Sequence, residues 1–530
     1  MKRIVPVVMV SLLVTVLLLA GCINPPPPPV RYVFEDGKIN IGIVAELNST
    51  AGAMQLTGAT LAQDAINRNG GIHIGGVSYI LEVVPIETGE ETVDPTGLTG
   101  KTALAAAIDG VDFILGGFRT EAVEVYRTVA MDNGVIFIDC GAGTEALQHS
   151  VVDDYAGYRF WFKGSPYNEY FMGRSVVKIL EAVAMKLREQ MGVLPSYTLN
   201  ASIVADNLVW AYQQVVVITE LLKDINVNLV HTPYWVDSTG NTVAMQNVMT
   251  SIAVSDPQFI IPVLSADAGV LYDTLRSSSV PNAMSVGINL KAQLKSPWSD
   301  NLTTAPPGGP ACAYEVVVDT WAEDLNQTSK TGPFLAAFMN STSGEYPLYT
   351  AATYDALLGL RAAVEAVASY DAEEGIAYAW ADDIIQWLED PANARVATTG
   401  NITYYPGPGT AAAGKPALAE AQVGSLYPLD SYNYTYTYDA KDWTMPAHTT
   451  HDLVYGPGLL TGVGAQWQWV GNETVGNETV GEWKKVGVWP MDFGDAYDEA
   501  LTDQYGCWNF AYNGTVALVI PQNIIDYHKP

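Results

Sequence analysis

The chain has 530 residues and a formal net charge of −31, an acid excess that excludes nucleic acid and anionic lipid headgroups as natural partners. With 48% hydrophobic residues it can bury large cores and form more than one domain. Charge alone says nothing of a small ligand, since an acidic surface also serves solubility.

The first residues read as an export leader. Lys2 and Arg3 form a positive start, Ile4 to Leu19 is apolar, and Leu19-Ala-Gly-Cys22 is similar to a lipobox. Residues 1–22 are therefore expected to be a lipoprotein signal peptide, cut before Cys22, whose thiol takes the lipid. The alternative is an uncleaved signal anchor, because the run is little shorter than the roughly 20 residues that cross a bilayer. Both place the remainder on the extracellular face of the cytoplasmic membrane. Pro25 to Pro29 favours an extended polyproline stalk, so 23–37 reads as a tether. Further on, no apolar stretch is long enough to span a bilayer.

From residue 38, strands alternate with helices. Strand Ile39–Ala45 precedes a helix in which Leu61, Ala62, Ala65 and Ile66 share one face, stopped by Asn69, Gly70 and Gly71. Strands Val77–Val84, Val111–Leu115 and Val135–Asp139 follow, separated by helices over about 99–108 and 120–133. A second lobe opens near Tyr158, with helix 168–191, strand Asn200–Ala205, helix 210–222, strand 228–231, helix 242–253 and strand Gln258–Val263. Strand Ala283–Ile288 is read as a return to the first lobe. Continuous apolar strands between amphipathic helices predict parallel sheets covered on both faces. The last hundred residues differ. Tyr427–Trp443 is crowded with Tyr and Thr, Gly471-Asn-Glu-Thr-Val repeats at once as Gly476–Val480, and Trp467, Trp469, Trp483 and Trp489 flank the repeat. This predicts a β-rich extension with a glycosylated hairpin.

The opening strand–helix–Gly70-Gly71-Ile72–strand unit, the helix at Tyr354-Asp-Ala and the strand Gly400-Asn-Ile-Thr-Tyr404 together resemble the type I periplasmic binding proteins, specifically the branched-chain amino-acid receptors of ABC importers. The resemblance covers roughly residues 38 to 410. It implies an α/β fold of two doubly wound parallel-sheet lobes joined by about three crossings, near 156–162, 284–290 and 385–400. Lobe 1 is expected at 38–157 and 290–390, lobe 2 at 158–289 and 391–425, and the extension at 426–530. The implied function is a solute-binding lipoprotein, not an enzyme and without cofactor. It would capture an amino acid or similar small carboxylate compound for an ABC permease and its ATPase. A ligand-sensing ectodomain of the same fold and a structural cell-envelope glycoprotein are the alternatives.

In open α/β sheets ligands sit beyond the carboxyl ends of strands, near helix N-termini. Two loops there offer donors: Gly116-Gly-Phe-Arg119-Thr120, where the resemblance places a carboxylate-binding serine, and Cys140-Gly141-Ala142-Gly143-Thr144, similar to the family's Gly-Ala-Thr loop. Across the cleft the resemblance points to Asp206, Trp210, Ser265, Asp267 and Asn289. Asn289 falls where the family has its ammonium-binding glutamate, so Asp206 or Asp267 is expected to replace that charge.

Ten Asn-x-Ser/Thr sequons occur. Asn200, Asn301, Asn326, Asn340, Asn401, Asn433, Asn472, Asn477 and Asn513 are taken as glycosylation candidates, while Asn48 falls at the cleft. Dense sequons beside a lipobox suggest an archaeal-type cell surface. Beyond Cys22 three cysteines remain, of which Cys312 and Cys507 are the candidate disulfide with Cys140 free, buried free thiols throughout being the alternative. No CxxC pair supports zinc. Gly97-Leu-Thr-Gly-Lys-Thr102 lacks the first glycine of a phosphate loop, where Pro95 stands. His448 and His451 form the only close His pair and read as a polar loop, with no metal expected.

Overall fold

A computed structural model describes residues 29–164, 168–407, 434–438, 441–445, 450–453, 460, 462–475, 478–489 and 516–530. The leader, Cys22 and most of the tether lie outside these residues. Among the described residues no helix is long and apolar enough to cross a membrane.

Two sheets organise the chain. The first has six strands in the order Ile72–Ile74, Val77–Glu87, Lys38–Ala45, Phe113–Gly116, Phe137–Asp139 and Trp161–Lys163. All are parallel except the short Ile72–Ile74, which turns antiparallel onto Val77–Tyr79. The second has eight. Tyr234–Val236, Leu199–Asp206, Phe259–Leu264, Met284–Asn289 and Val316–Asp319 run parallel, with Val227–Leu229 beside Leu199–Ala201, and Val463–Val475 and Glu478–Trp489 follow antiparallel. Every residue of Phe259–Leu264, Met284–Asn289 and Val316–Asp319 is buried, as expected of parallel strands covered on both faces. This is the two-lobed α/β architecture that the alternating pattern implied.

Local signals set the helix ends. Ser49 caps Thr50–Arg68 by accepting the Gly52 N–H at 3.0 Å, and Asn168 caps Glu169–Met191 by accepting that of Phe171 at 2.9 Å. Gly192 ends the second helix in the left-handed conformation.

The chain crosses between lobes at places other than those expected. Trp161–Lys163 pairs with Phe137–Asp139, so the first lobe extends past 157 and the exit follows Lys163. Met284–Asn289 does not return to the first lobe: it lies between Phe259–Leu264 and Val316–Asp319, since an all-buried strand needs a neighbour on each side. The return comes after Asp319, with helix Thr331–Ser341 packing on Thr50–Arg68. The ladder Arg395–Val396/Asn401–Ile402 stays with the first lobe, because Thr398 bonds to Asp355 of helix Thr353–Val367. The tether ends earlier than residue 37, in strand Arg31–Phe34 paired to Phe34's partner strand Ile376–Trp380.

The hairpin around the repeated Gly-Asn-Glu-Thr-Val motif exists, with Thr474 opposite Thr479. It is no separate unit, because it extends the second sheet. Its Trp467 and Trp483 are buried with Trp298, Cys312, Val317 and Tyr346. The aromatic density of this segment thus serves packing.

Candidate ligand-binding cleft

Strand ends of both sheets face one cavity of about 300 Å³. The first-lobe wall comes from Asn48–Ala51, Glu91, Thr92, Phe118–Glu121, Gly141, Gly143 and Tyr349. The second-lobe wall comes from Met172, Leu208, Trp210, Ser238, Thr239, Ser265–Asp267, Ile288, Lys291, Gln293 and Thr320. The lobes touch around it: Val209 N–H donates to Glu121 at 3.3 Å, and Glu169 N–H to the Gly143 carbonyl at 2.7 Å. Tyr349 donates its hydroxyl to the Gly141 carbonyl at 2.7 Å. Glycine is required where the two first-lobe loops meet. Gly116 has φ +117°, and a Cβ on Gly141 would stand 2.1 Å from the Gly117 carbonyl oxygen.

Four amides of the two loops, those of Phe118, Arg119, Gly141 and Ala142, are occupied from within. Glu90, fully buried, accepts from Phe118 N–H at 3.2 Å, Arg119 N–H at 3.0 Å and the Tyr126 hydroxyl at 3.1 Å. Burial outweighs these bonds and pushes its carboxyl up to about 7. Asp139 accepts from Gly141 and Ala142 N–H at 3.1 and 2.9 Å, while its other oxygen pairs with the buried Lys163 at 2.7 Å. Glu169 takes the Thr144 hydroxyl at 3.0 Å and Glu145 N–H at 3.1 Å, and burial raises it to about 8.

Of the expected residues, Arg119, Thr120, Gly141, Gly143, Trp210, Ser265 and Asp267 line the cavity, and Ala142, Thr144, Asp206 and Asn289 do not. Ala142 and Thr144 face the buried carboxylates just described. Asp206 is buried and holds the next loop, accepting from Ser265 N–H at 2.8 Å and its hydroxyl at 2.7 Å. Asn289 is buried among Asp273, Glu315 and Gly269. Asp267 is 78% exposed and paired to Lys291 at 3.1 Å, so neither Asp206 nor Asp267 stands as an unpaired acid in the cavity. Arg119 lies 3.5 Å from Glu121.

Sequence reasoning missed Glu91, Lys291, Gln293, Thr320, Phe118 and Tyr349. Glu91 lies just beyond strand Val77–Glu87, and Thr320 immediately after Val316–Asp319, so the strand-end rule had the signal for both. Six buried polar atoms of lining residues have no hydrogen-bond partner among the described residues: Glu91 Oε1, Arg119 Nε, Thr120 Oγ1, Trp210 Nε1, Gln293 Oε1 and Thr320 Oγ1. Each such group left unmet costs about 1–3 kcal/mol. A polar solute in the cavity would meet them.

Elsewhere, Cys140 and Cys312 are buried free thiols, and Cys507, the expected partner of Cys312, lies outside the described residues. His451 is buried, bonded to Glu389 at 2.6 Å and to the Trp161 carbonyl at 2.9 Å; His448 lies outside. Among the described residues no group of three side chains suits a metal. Asn301, Asn326 and Asn340 are exposed, whereas Asn200 and Asn401 are half-buried in strands. Asn472 lies in the strand Val463–Val475, and Asn433, Asn477 and Asn513 fall outside the described residues.

No family model and no curated protein matches this sequence. Solved structures do match in fold. A solute-binding protein of an ABC transporter from Rhodopseudomonas palustris, in complex with 3,4-dihydroxybenzoic acid, is 12% identical, with TM-score 0.55 over 85% of this chain and 98% of its own. A leucine-, isoleucine-, valine-, threonine- and alanine-binding protein from Brucella ovis is 13% identical, with TM-score 0.54 over 84% and 94%. A second R. palustris protein, in complex with 4-hydroxybenzoate, is 12% identical, with TM-score 0.52 over 84% and 96%. The chain has the fold of the type I periplasmic solute-binding proteins of ABC transporters.

Proposed function

We propose that this protein is an extracytoplasmic solute-binding lipoprotein, anchored through Cys22, that captures an amino acid or related small compound and passes it to an ABC permease and its ATPase. One observation carries the reading. A cavity shared by two lobes is lined by six buried polar atoms without a hydrogen-bond partner among the described residues, and two lobes with hinge crossings can close on a solute and reopen. Amino-acid size suits about 300 Å³. The fold shared with binding proteins for amino acids and benzoates supports the choice of class.

The test is a thermal-shift screen of the full mature chain against amino acids, short peptides, nucleosides and aromatic acids. A solute at a hundredfold its Kd adds about 2.7 kcal/mol of stability, a shift of several degrees. A flat screen, together with native mass spectrometry showing no small molecule carried through purification, would overturn the reading. A permease and ATPase encoded beside the gene would favour transport over sensing.

A further inference from the structure

We propose that the cleft selects its solute through a positively charged amine held by Glu91, so that an amino acid binds by its ammonium and its carboxylate is dispensable. The proposal rests on the reading of the chain as a solute-binding protein and reverses the polarity expected for the first-lobe wall.

Three observations lead to it. First, the amides of Phe118, Arg119, Gly141 and Ala142 already serve Glu90 and Asp139, so a ligand carboxylate placed on them would meet acidic groups. Second, each cation on the lining faces its own acid: Arg119 stands 3.5 Å from Glu121, and Lys291 3.1 Å from Asp267. The lining thus holds three carboxylates, Glu91, Glu121 and Asp267, against two cations. Asp206 and Asp237 stand near Arg119 on the second-lobe side and add to the negative field. Third, Glu91 is the acid left over. Its Oε1 is buried with no partner among the described residues. The Glu91 carboxyl is raised by burial and by the neighbouring Glu46 carboxylate, and it feels Lys291 and Arg119 only as charges in the vicinity.

A ligand ammonium supplies what Glu91 lacks, a donor and a compensating charge in a desolvated site. The rings of Phe118, Trp210 and Tyr349 on the same lining suit the apolar rest of an amine.

The experiment compares matched sets by isothermal titration of the full mature chain. One set is leucine, its decarboxylated counterpart isopentylamine and its deaminated counterpart isocaproate; the other is phenylalanine, phenethylamine and hydrocinnamate. The expected result is that at least one amine binds within about tenfold of its amino acid, and that neither acid binds. In Glu91→Gln, amine affinity falls by about ten- to a hundredfold, the loss expected for a charged hydrogen bond. Binding of an acid without its amine overturns the proposal and leaves the solute-binding reading intact. Amine binding that is unchanged in Glu91→Gln overturns it too. If neither amino acids, amines nor acids bind, both the proposal and the amino-acid reading fall.

Discussion

Each lobe carries one buried lysine–aspartate pair at the cleft end of its sheet. In the first lobe, Asp139 ends a strand, uses one oxygen to hold the N–H groups of Gly141 and Ala142, and pairs the other with Lys163. In the second, Asp319 ends a strand, holds the N–H of Thr320 at 2.7 Å and pairs with Lys485. The local chemistry is the same, and its source in the chain is not. Lys163 sits 24 residues from its aspartate, on the next strand, whereas Lys485 comes from 166 residues downstream, on the C-terminal hairpin. Lys485 also donates to the Gln293 carbonyl at 2.7 Å, and Trp467 to the Ala292 carbonyl, so the hairpin fixes the lining residues Gln293 and Thr320 from behind. One wall of the cleft is built from neighbours in sequence, and the other is completed by the end of the chain.

The hardest test of that contrast removes residues 463–489. The second sheet then loses two strands and the fully buried Trp467 and Trp483, each of which alone is worth about 3–5 kcal/mol on truncation to alanine. The expected outcome is a chain that does not fold cooperatively, read by circular dichroism and limited proteolysis. A sharp, unshifted melt would break the comparison.

Next come Lys163→Met and Lys485→Met. Each leaves a buried aspartate without its cation, and each is expected to lower stability by about 3–5 kcal/mol in urea unfolding. Only Lys485→Met should also weaken a solute found by the screen, through Gln293 and Thr320. Equal effects on binding from both variants would show that the two walls are not held differently.

A pH series follows. Glu90 and Glu169 in the first-lobe wall have native pKa values near 7 and 8 against 4.5 unfolded, and Asp206 in the second near 6 against 3.8. Because native values are raised, the native state holds protons that the unfolded chain has released. Their contribution to stability is therefore fully present below about pH 4 and is lost as pH rises through about 8. The melting temperature should fall steadily from pH 5 to pH 8, and Glu90→Gln should flatten part of that fall. A melting temperature that rises across this window would contradict the assignment of buried carboxyls that titrate above their usual range.

The smallest effect belongs to a cap. Ser49→Ala removes the acceptor for Gly52 N–H at the start of the first-lobe helix and should cost about 1 kcal/mol. Calorimetry on the unliganded chain measures it. A loss several times larger would mean that Ser49 does more than cap.

How much was legible in the sequence follows the same division. Hydrophobic continuity marked the parallel strands, whereas the caps Ser49 and Asn168 emerge only from the structure, the sequence pattern making Asn168 the first residue of its helix. The strand-end rule found Arg119, Thr120 and Trp210. It could not tell that Gly141 and Ala142 had already given their N–H groups to Asp139, because a carboxylate two residues away reads the same whether it faces solvent or folds back. The partner of Asp319 lay far beyond any local window, so the hairpin read as an appendage. The place where the chain returns to the first lobe was missed for a related reason. A buried strand such as Met284–Asn289 looks alike in either sheet, and only its neighbours decide.

The distance between Asp319 and Lys485 sets an order of events. On the proposed reading the chain is exported N-terminus first, and the first-lobe pair can then form as soon as Lys163 is clear of the membrane. The other wall has to wait for the hairpin, so until residue 485 is outside there is no finished surface for a solute to grip. Pulse-labelled chains halted short of residue 463 are expected to hold protease-resistant first-lobe fragments and to retain no solute. On that reading, the position of one lysine makes capture wait for residue 485.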